Sequence, residues 1–369
     1  SRITADYRVI IIIYICSKRK EKIMTKMEKE ILEQPKVLAS LKATNDSTLK
    51  NLVSDIKQRD IKLVYFAARG TSDHASIYAS YMISTFVGVP TALALPSVVT
   101  AYNGKLNLKD ALVIGVSQSG KAADVLAVME RAKANGALTV AVTNDLSSPM
   151  ATYGDYHLYC NAGVEESVAA TKTFTSQMYL LALLAAYWSG NQQLIADLDK
   201  VPAAVEQELS YVPQEIDKIV QRYRYMENGF VLGRGINLAI AYETMLKLQE
   251  TNYVKMKGYA VSDFWHGPLA QVDEGTFVIL YASEGPVFEN CKEMLAKLDS
   301  IGAEVILVSD NEEIVANRPL AIKIPKLGSD AVSPFLFAVF AQMFACKLTA
   351  VKGRNPDAPR NLNKVTITK

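Results

Sequence analysis

The chain has 369 residues, half of them hydrophobic and 21% charged, with 40 Lys and Arg against 38 Asp and Glu. This length accommodates two domains with a core each. A nearly neutral chain without a block of basic residues argues against nucleic acid as a partner. The four cysteines and three histidines are scattered, which argues against a disulfide framework and a clustered zinc site. We therefore expect a reduced, metal-free, cytoplasmic protein.

The N-terminal residues 1–23 contain a short apolar run, 9–16, followed by basic residues. A membrane-spanning helix needs about 20 apolar residues, and a secretory signal would end in a small-residue cleavage site that is missing here. We predict that residues 1–23 are an extension outside the functional fold and that the protein does not enter a membrane. The alternative is a hydrophobic strand or an anchor. Residues 24–60 are expected to form an N-terminal helical segment.

Strand-like and helix-like patterns alternate through the first half of the chain. Continuous apolar runs that end in small or polar residues are typical of buried parallel strands, and such runs occupy residues 63–70, 111–117 and 137–143. Residues 73–87 and 122–135 between them have helical patterns. This alternation predicts βαβ units on a parallel sheet.

The second half repeats this scheme. Arg234 follows Arg69 by 165 residues, and Gly302 follows Gly136 by 166, so the chain is predicted to be a duplicated α/β fold. The corresponding second-half strands are 230–235, 276–283 and 303–309. We place the domain boundary near residues 205–215, which gives a first domain at 61–205, a second domain at 206–352 and an extended tail at 353–369.

A seryl turn follows the second predicted strand of the first half. Ligands of open parallel sheets bind beyond the carboxyl ends of the strands. Ser117, Gln118 and Ser119 offer hydroxyl, amide and backbone N–H groups at a helix N-terminus, which suits a phosphate dianion. Gly120 allows a close backbone approach. Helix capping explains the two serines as well as phosphate binding does. The second half has Glu284 at the corresponding place, and its carboxylate would repel phosphate.

Two further loops carry candidate site residues. Thr71 and Ser72 follow the first strand, where they could bind sugar hydroxyls or phosphate, or cap the next helix. His266 precedes a Gly-Pro turn and is a candidate acid or base, although a lone histidine is more often structural.

Three charged residues share one face of the helix after the first strand of the second half. Glu243, Lys247 and Glu250 are spaced i, i+4 and i+7. The simpler interpretation is a solvated stripe of salt bridges. In the alternative, one carboxylate is a general base that moves a proton between adjacent sugar carbons.

Seven segments occur together in one order: 69–72, 117–120, Glu165 with 168–172, 232–235, 243–250, 266–270 and 359–364. This ordered set resembles the SIS (sugar isomerase) family, which includes the isomerase half of glucosamine-6-phosphate synthase and stand-alone glucosamine-6-phosphate deaminases. The resemblance implies two tandem flavodoxin-like, doubly wound parallel-sheet domains with flanking helices and a C-terminal tail.

The resemblance also implies roles for individual residues. It implies a homodimer that binds a hexosamine or hexose 6-phosphate and needs no cofactor, because the imine of the substrate delocalises the developing charge. Phosphate and substrate would be bound by Thr71, Ser72, Ser117, Gln118, Ser119 and Lys247. The catalytic residues would be Glu250, which moves the proton between C1 and C2, His266, which opens the ring in the site of a neighbouring subunit, and Lys364, which engages the open-chain sugar.

The chain also departs from the synthase pattern. Ala122 stands where the synthase has a threonine, and Asp263 stands where a glutamate is usual. No glutaminase domain precedes Met24, so we expect no synthesis from glutamine by this chain alone and predict the deamination of glucosamine 6-phosphate to fructose 6-phosphate and ammonia. An aldose–ketose isomerase, a fructosamine-6-phosphate deglycase and a sugar-phosphate sensor without catalysis are the alternatives.

Overall fold

The computed structural model describes residues 24–364, so the predicted extension 1–23 and the last five residues of the tail lie outside the described residues. Two helices come first, α1 (Lys26–Leu32) and α2 (Gln34–Arg59). Thr25 caps α1 by accepting a hydrogen bond from the backbone N–H of Glu28. A proline in the first turn of α2 is compatible with a helix start, because that N–H has no intrahelical partner.

The first half folds around a parallel sheet of five strands in the order β2-β1-β3-β4-β5. Its strands are β1 (Leu63–Ala67), β2 (Thr91–Leu93), β3 (Ala111–Val116), β4 (Leu138–Thr143) and β5 (Tyr156–Tyr159). Its helices are α3 (Thr71–Phe86), α4 (Pro96–Thr100), α5 (Ala123–Ala134) and α6 (Pro149–Tyr153).

Three helices and a short 3-10 turn connect the two halves. They are α7 (Lys172–Ser189), α8 (Gln192–Leu209), α9 (Val212–Ile219) and the turn at Val220–Tyr223. Nearly all of α7 is buried, since it packs against both α2 and α3. This helix is therefore part of the core of the first half.

The second half has another five-stranded parallel sheet, in the order β10-β9-β8-β6-β7. Its strands are β6 (Asn228–Gly233), β7 (Lys255–Ala260), β8 (Phe277–Ala282), β9 (Glu304–Ser309) and β10 (Ala321–Lys323). Its helices are α10 (Leu238–Asn252), α11 (Val261–Phe264), α12 (Phe288–Ile301), α13 (Glu312–Val315) and α14 (Ser333–Val351), with 3-10 turns at Gly235–Asn237 and Pro268–Gln271.

The predicted duplication and the doubly wound parallel fold are confirmed. When the strands are counted within each half, both sheets have the order 2-1-3-4-5. The six predicted strands correspond to β1, β3, β4, β6, β8 and β9. The other four strands were not predicted, because they are short or lie at a sheet edge, where one side faces solvent and the apolar run is interrupted.

One cluster of buried apolar side chains extends through both halves. Its centre includes α14, a helix long and apolar enough to cross a membrane, although 89% of its most apolar window is buried inside the protein. Helix α14 packs along α10, and α10 in turn packs against α3. The helices that follow the first strand of each half are therefore neighbours, and this contact brings polar residues of the two halves together.

Candidate active site

The seryl turn, residues 117–120, leaves β3 at the carboxyl edge of the first sheet. The Ser117 Oγ accepts a hydrogen bond from the Gly120 N–H at 3.2 Å, and the Ser119 Oγ accepts one from the Lys121 N–H at 3.3 Å. Each hydroxyl can still donate its own proton to a ligand. Gly120 has φ +62°, and a Cβ there would lie 2.1 Å from the Ser148 Oγ. Only glycine fits this turn.

The capping interpretation of the two serines is wrong. Helix α5 begins at Ala123, its N-cap residue is Ala122, and no side chain of the described residues caps it. The first helical turn instead contains Asp124, which is buried and accepts a hydrogen bond from the Arg69 Nε at 2.6 Å. The serine hydroxyls therefore bond within the turn and not to the helix, whose first turn has the Val125 N–H donating to the Asp124 Oδ1 at 2.9 Å.

Thr71 and Ser72 begin α3, and neither of them caps it, because Gly70 is the N-cap residue. The Thr71 hydroxyl donates to the Glu243 Oε1 at 3.1 Å and accepts from the Lys247 Nζ at 3.2 Å. The buried Ser72 hydroxyl accepts from the Gln177 Nε2 at 3.1 Å. Because β1 and β3 are adjacent strands, Thr71 and the seryl turn leave the same edge of the sheet side by side.

The charged face of α10 is not a solvated stripe, so that interpretation is also wrong. The side chains of Glu243 and Lys247 are fully buried, and that of Glu250 is 20% exposed. The Lys247 Nζ lies 2.6 Å from the Glu250 Oε2 and 3.3 Å from the Glu243 Oε1. Burial alone would lower the pKa of Lys247, but the two carboxylates outweigh it and raise this pKa. The ammonium therefore stays charged.

Sequence reasoning missed one member of this cluster, His74. Its Nδ1 lies 2.7 Å from the Glu243 Oε2, and its side chain is 12% exposed. His74 is three residues after Thr71, so both lie on one face of α3. This spacing could have placed His74 in the site if the sequence had also shown that α10 covers this face of α3.

Lys364 is held by residues just before α7. Its Nζ donates to the Glu165 Oε2 at 2.9 Å and to the carbonyl of Ser167 at 2.7 Å. Glu165 is buried and also accepts hydrogen bonds from Thr171 and Thr173. Burial would raise the pKa of Glu165, but Lys364 and these hydrogen bonds lower it overall. The tail therefore returns to the first half.

His266 lies on an exposed loop after α11. Its backbone N–H donates to the carbonyl of Asp263 at 3.0 Å, and the neighbouring Trp265 is 42% exposed. Within residues 24–364, neither His266 nor Lys364 has a hydrogen bond or an ion pair with the cluster on α10. The structure thus brings Thr71, Lys247 and Glu250 together within one chain, and it places His266 and Lys364 elsewhere.

These features define a class of protein. The protein has a duplicated parallel α/β fold with a seryl turn at the end of β3 in the first half. A buried carboxylate–ammonium cluster of the second half is hydrogen-bonded to Thr71, which follows the adjacent strand β1. The model of the SIS domain family matches residues 58–187 and 226–352. The chain belongs to the SIS domain family.

The relatives of this chain are enzymes of sugar phosphates. It is 37% identical over 352 residues to the isomerizing glutamine–fructose-6-phosphate aminotransferase of Aquifex aeolicus, across 93% of this chain and 57% of that protein. This chain therefore spans little more than half of that relative's length.

Two solved structures share the fold at lower identity. Glucosamine-6-phosphate deaminase from Thermotoga maritima has a TM-score of 0.76 and 23% identity, over 93% of this chain and all of that one. Tagatose-6-phosphate ketose/aldose isomerase from Escherichia coli has a TM-score of 0.78 and 22% identity, over 92% and 96% of the two chains.

Proposed function

We propose that this protein transfers a proton between C1 and C2 of a hexose 6-phosphate, and that it converts glucosamine 6-phosphate to fructose 6-phosphate and ammonia. The observation that carries this proposal is the partly exposed Glu250 carboxylate on the buried Lys247, which is hydrogen-bonded to Thr71 from the other half. A base that faces solvent and is fixed by a buried cation is suited to carbon acid chemistry.

In the proposed reaction the phosphate binds at the seryl turn, where the hydroxyls of Ser117 and Ser119 donate hydrogen bonds to it, with Gln118 beside them. Thr71 and Ser72 contact the substrate from the adjacent strand end. The sugar chain then extends toward α10, because Thr71 joins this strand end to Lys247 and Glu250. Phosphate binding thereby orients C1 and C2 against the base.

The chemistry itself needs one base and water. After the ring opens, Glu250 removes the proton from C2 of the amino aldehyde and returns a proton to C1, while the C1 oxygen gains a proton and the amine loses one, which leaves a ketimine at C2. Water adds to the ketimine, the C–N bond breaks, and fructose 6-phosphate and ammonia leave. Lys247 holds the Glu250 carboxylate in place through the ion pair at 2.6 Å. The carbonyl and the imine of the substrate take up the negative charge, so we propose that no cofactor takes part.

We further propose a homodimer in which the partner subunit's His266 opens the sugar ring and Lys364 engages the open-chain sugar. An exposed histidine beside the exposed Trp265 suits a contact between two copies. The aminotransferase relatives are named for a substrate of the same class, a hexose 6-phosphate.

We propose a cytoplasmic location, because phosphorylated sugars are retained there.

The isomerase and deglycase alternatives use the same proton transfer on other substrates, and the sensor alternative uses none, so analysis of the products and of deuterium uptake distinguishes them. The protein is incubated in D₂O with glucosamine 6-phosphate, glucose 6-phosphate or a fructosamine 6-phosphate. We expect fructose 6-phosphate and ammonia in equal amounts from the first of these, with deuterium at C1. If only glucose 6-phosphate is converted, the protein is an isomerase, and if only the fructosamine 6-phosphate is converted, it is a deglycase. Binding of a sugar phosphate without deuterium uptake would indicate a sensor.

The role of Glu250 is tested by Glu250→Gln. We expect a loss of activity of about 10²–10⁴-fold with substrate affinity retained, since general base catalysis contributes on that order. Glu293→Gln changes an exposed glutamate of α12 and is the matched control, with activity unchanged. Full activity in Glu250→Gln would remove this residue from its proposed role.

A further inference from the structure

The cluster on α10 contains more charge than a base and its counterion need. Lys247 is already paired with Glu250 at 2.6 Å, yet Glu243 lies 3.3 Å away on the other side. A fully buried second carboxylate is costly unless its oxygens are satisfied. Both oxygens of Glu243 are satisfied, Oε1 by Thr71 and Lys247 and Oε2 by His74.

The direction of the hydrogen bond to His74 is assigned from the other contacts of Glu243. Its Oε1 accepts from Thr71 and faces the Lys247 ammonium, so Oε2 is taken as an acceptor as well, and the Nδ1 of His74 then donates to it. This bond holds one oxygen of Glu243 and leaves the other to Thr71 and Lys247. His74 thereby fixes the Glu243 carboxylate, and Lys247 lies between this carboxylate and that of Glu250.

The duplication shows that the fold does not need this cluster in order to pack these helices. A shift of 165 residues places Tyr78 at the position of Glu243, Met82 at that of Lys247 and Ala239 at that of His74. Tyr78, Met82 and Ala239 are buried. The turn at Gly235–Asn237 packs on α3 as the start of α3 packs on α10. The pseudo-equivalent contact is therefore made without any of these charges.

We propose that His74 is a positioning residue that acts through Glu243 to fix Lys247 and, with it, the Glu250 carboxylate against the substrate. This inference rests on the proposed function of Glu250. In the described part of the chain, no hydrogen bond or ion pair joins His74 to Lys247 or Glu250, and His74 contributes by keeping Glu243 in one orientation. A displacement of the base by about 1 Å is enough to cost roughly 100-fold in rate.

The test compares two amides at position 74. In His74→Asn the amide nitrogen lies where Nδ1 lies and can donate to Glu243, whereas in His74→Gln it lies nearer the position of Nε2. The rate of deuterium uptake at C1 of fructose 6-phosphate in D₂O reports on the base, the KM reports on phosphate binding, and the melting temperature reports on folding. Crystal structures of both variants give the distance from Lys247 to Glu250.

We expect His74→Asn to exchange within about 5-fold of the wild-type rate and His74→Gln to exchange about 10–100-fold more slowly, with similar KM values and melting temperatures. The contact between Lys247 and Glu250 should be kept in the first variant and lost in the second. Equal exchange rates in both variants would overturn the positioning role. If the wild type itself takes up no deuterium, the proposed function fails instead, so the two failures are distinguishable.

Discussion

The turn after β3 and its counterpart after β8 occupy equivalent places in the two sheets but bind different partners. In the first half the seryl turn bonds within itself, and the backbone N–H of Asn144 donates to the carbonyl of Gln118 at 3.0 Å. In the second half the backbone N–H of Glu284 donates to the Asp310 Oδ1 at 2.8 Å, and the Glu284 carboxylate is bound by Asn311 and Lys326. The second turn is thus occupied by two carboxylates, its own Glu284 and Asp310 from the end of β9.

This comparison shows that the two halves share one scaffold, while the polar contacts at their equivalent turns differ. The two helices α10 and α3 also differ at equivalent positions. Helix α10 has the charged Glu243 and Lys247, where α3 has the uncharged Tyr78 and Met82. A cavity of about 730 Å³ remains beside the second turn, lined by Glu284, Asp310 and Lys326 among others. Because the carboxylates around the second turn would repel a phosphate, we expect the substrate of the proposed function to bind at the first turn.

The largest expected effect comes from giving the first turn the carboxylate of the second, by Gln118→Glu. A negative charge about 4 Å from a phosphate dianion costs about 4 kcal/mol for each unit of charge at an effective dielectric constant of about 20. We expect the KM for hexose 6-phosphate to rise by about 100-fold or more while the protein stays folded, as measured by steady-state kinetics.

The matched variant in the second half is Glu284→Gln. It should leave that KM unchanged, because Glu284 is bound by Asn311 and Lys326 at the other sheet. An unchanged KM in Gln118→Glu, or an equal change in both variants, would show that the first turn does not hold the phosphate.

A second prediction concerns the shape of the seryl turn. Gly120→Ala should lower the free energy of unfolding by about 3 kcal/mol or more, because the new Cβ overlaps Ser148 in addition to the cost of positive φ of about 1–2 kcal/mol. Gly136→Ala isolates the second term, since Gly136 has φ +84° and open space around its Cβ position. Urea unfolding of both variants measures the difference, and equal losses would contradict the close packing at Gly120.

A third, smaller effect concerns a buried carboxyl group next to the second sheet. Glu208 is fully buried with no hydrogen-bond partner on either oxygen among the described residues, and burial raises its pKa well above the ordinary value of 4.5. The folded protein therefore holds a proton that the unfolded chain releases at neutral pH. The contribution of Glu208 to the free energy of unfolding is therefore greatest below pH 4.5, and it falls as the pH rises toward the raised pKa, by at most about 1.4 kcal/mol per pH unit.

Glu208→Gln removes the carboxyl group that binds this proton in the folded protein. We expect the variant to be more stable than the wild type by about 1–3 kcal/mol at neutral pH, with the difference disappearing toward pH 4.5, as measured by urea unfolding across this range. Glu206→Gln changes an exposed neighbour on α8 and should show no such dependence. A constant difference across the pH range would contradict the protonated state of Glu208.

The site was predicted only in part from the sequence, and for a physical reason. Helical periodicity shows that Glu243, Lys247 and Glu250 share one face, but it does not show what covers that face. Burial of Glu243 and Lys247 comes from α3, which lies about 170 residues earlier in the chain, as the separation of 169 residues between His74 and Glu243 illustrates. The partner of Lys364, Glu165, is still more distant in sequence, at 199 residues.

The sequence by itself determined the duplicated parallel fold, its interior strands and the seryl turn, because buried strands and glycine turns have local patterns that repeat at a constant spacing. Only the tertiary structure decided the edge strands and the chain of contacts from His74 through Glu243 and Lys247 to Glu250. Those contacts depend on how two distant helices approach each other. Such an approach is set by the packing of the whole core and leaves no local pattern in the sequence.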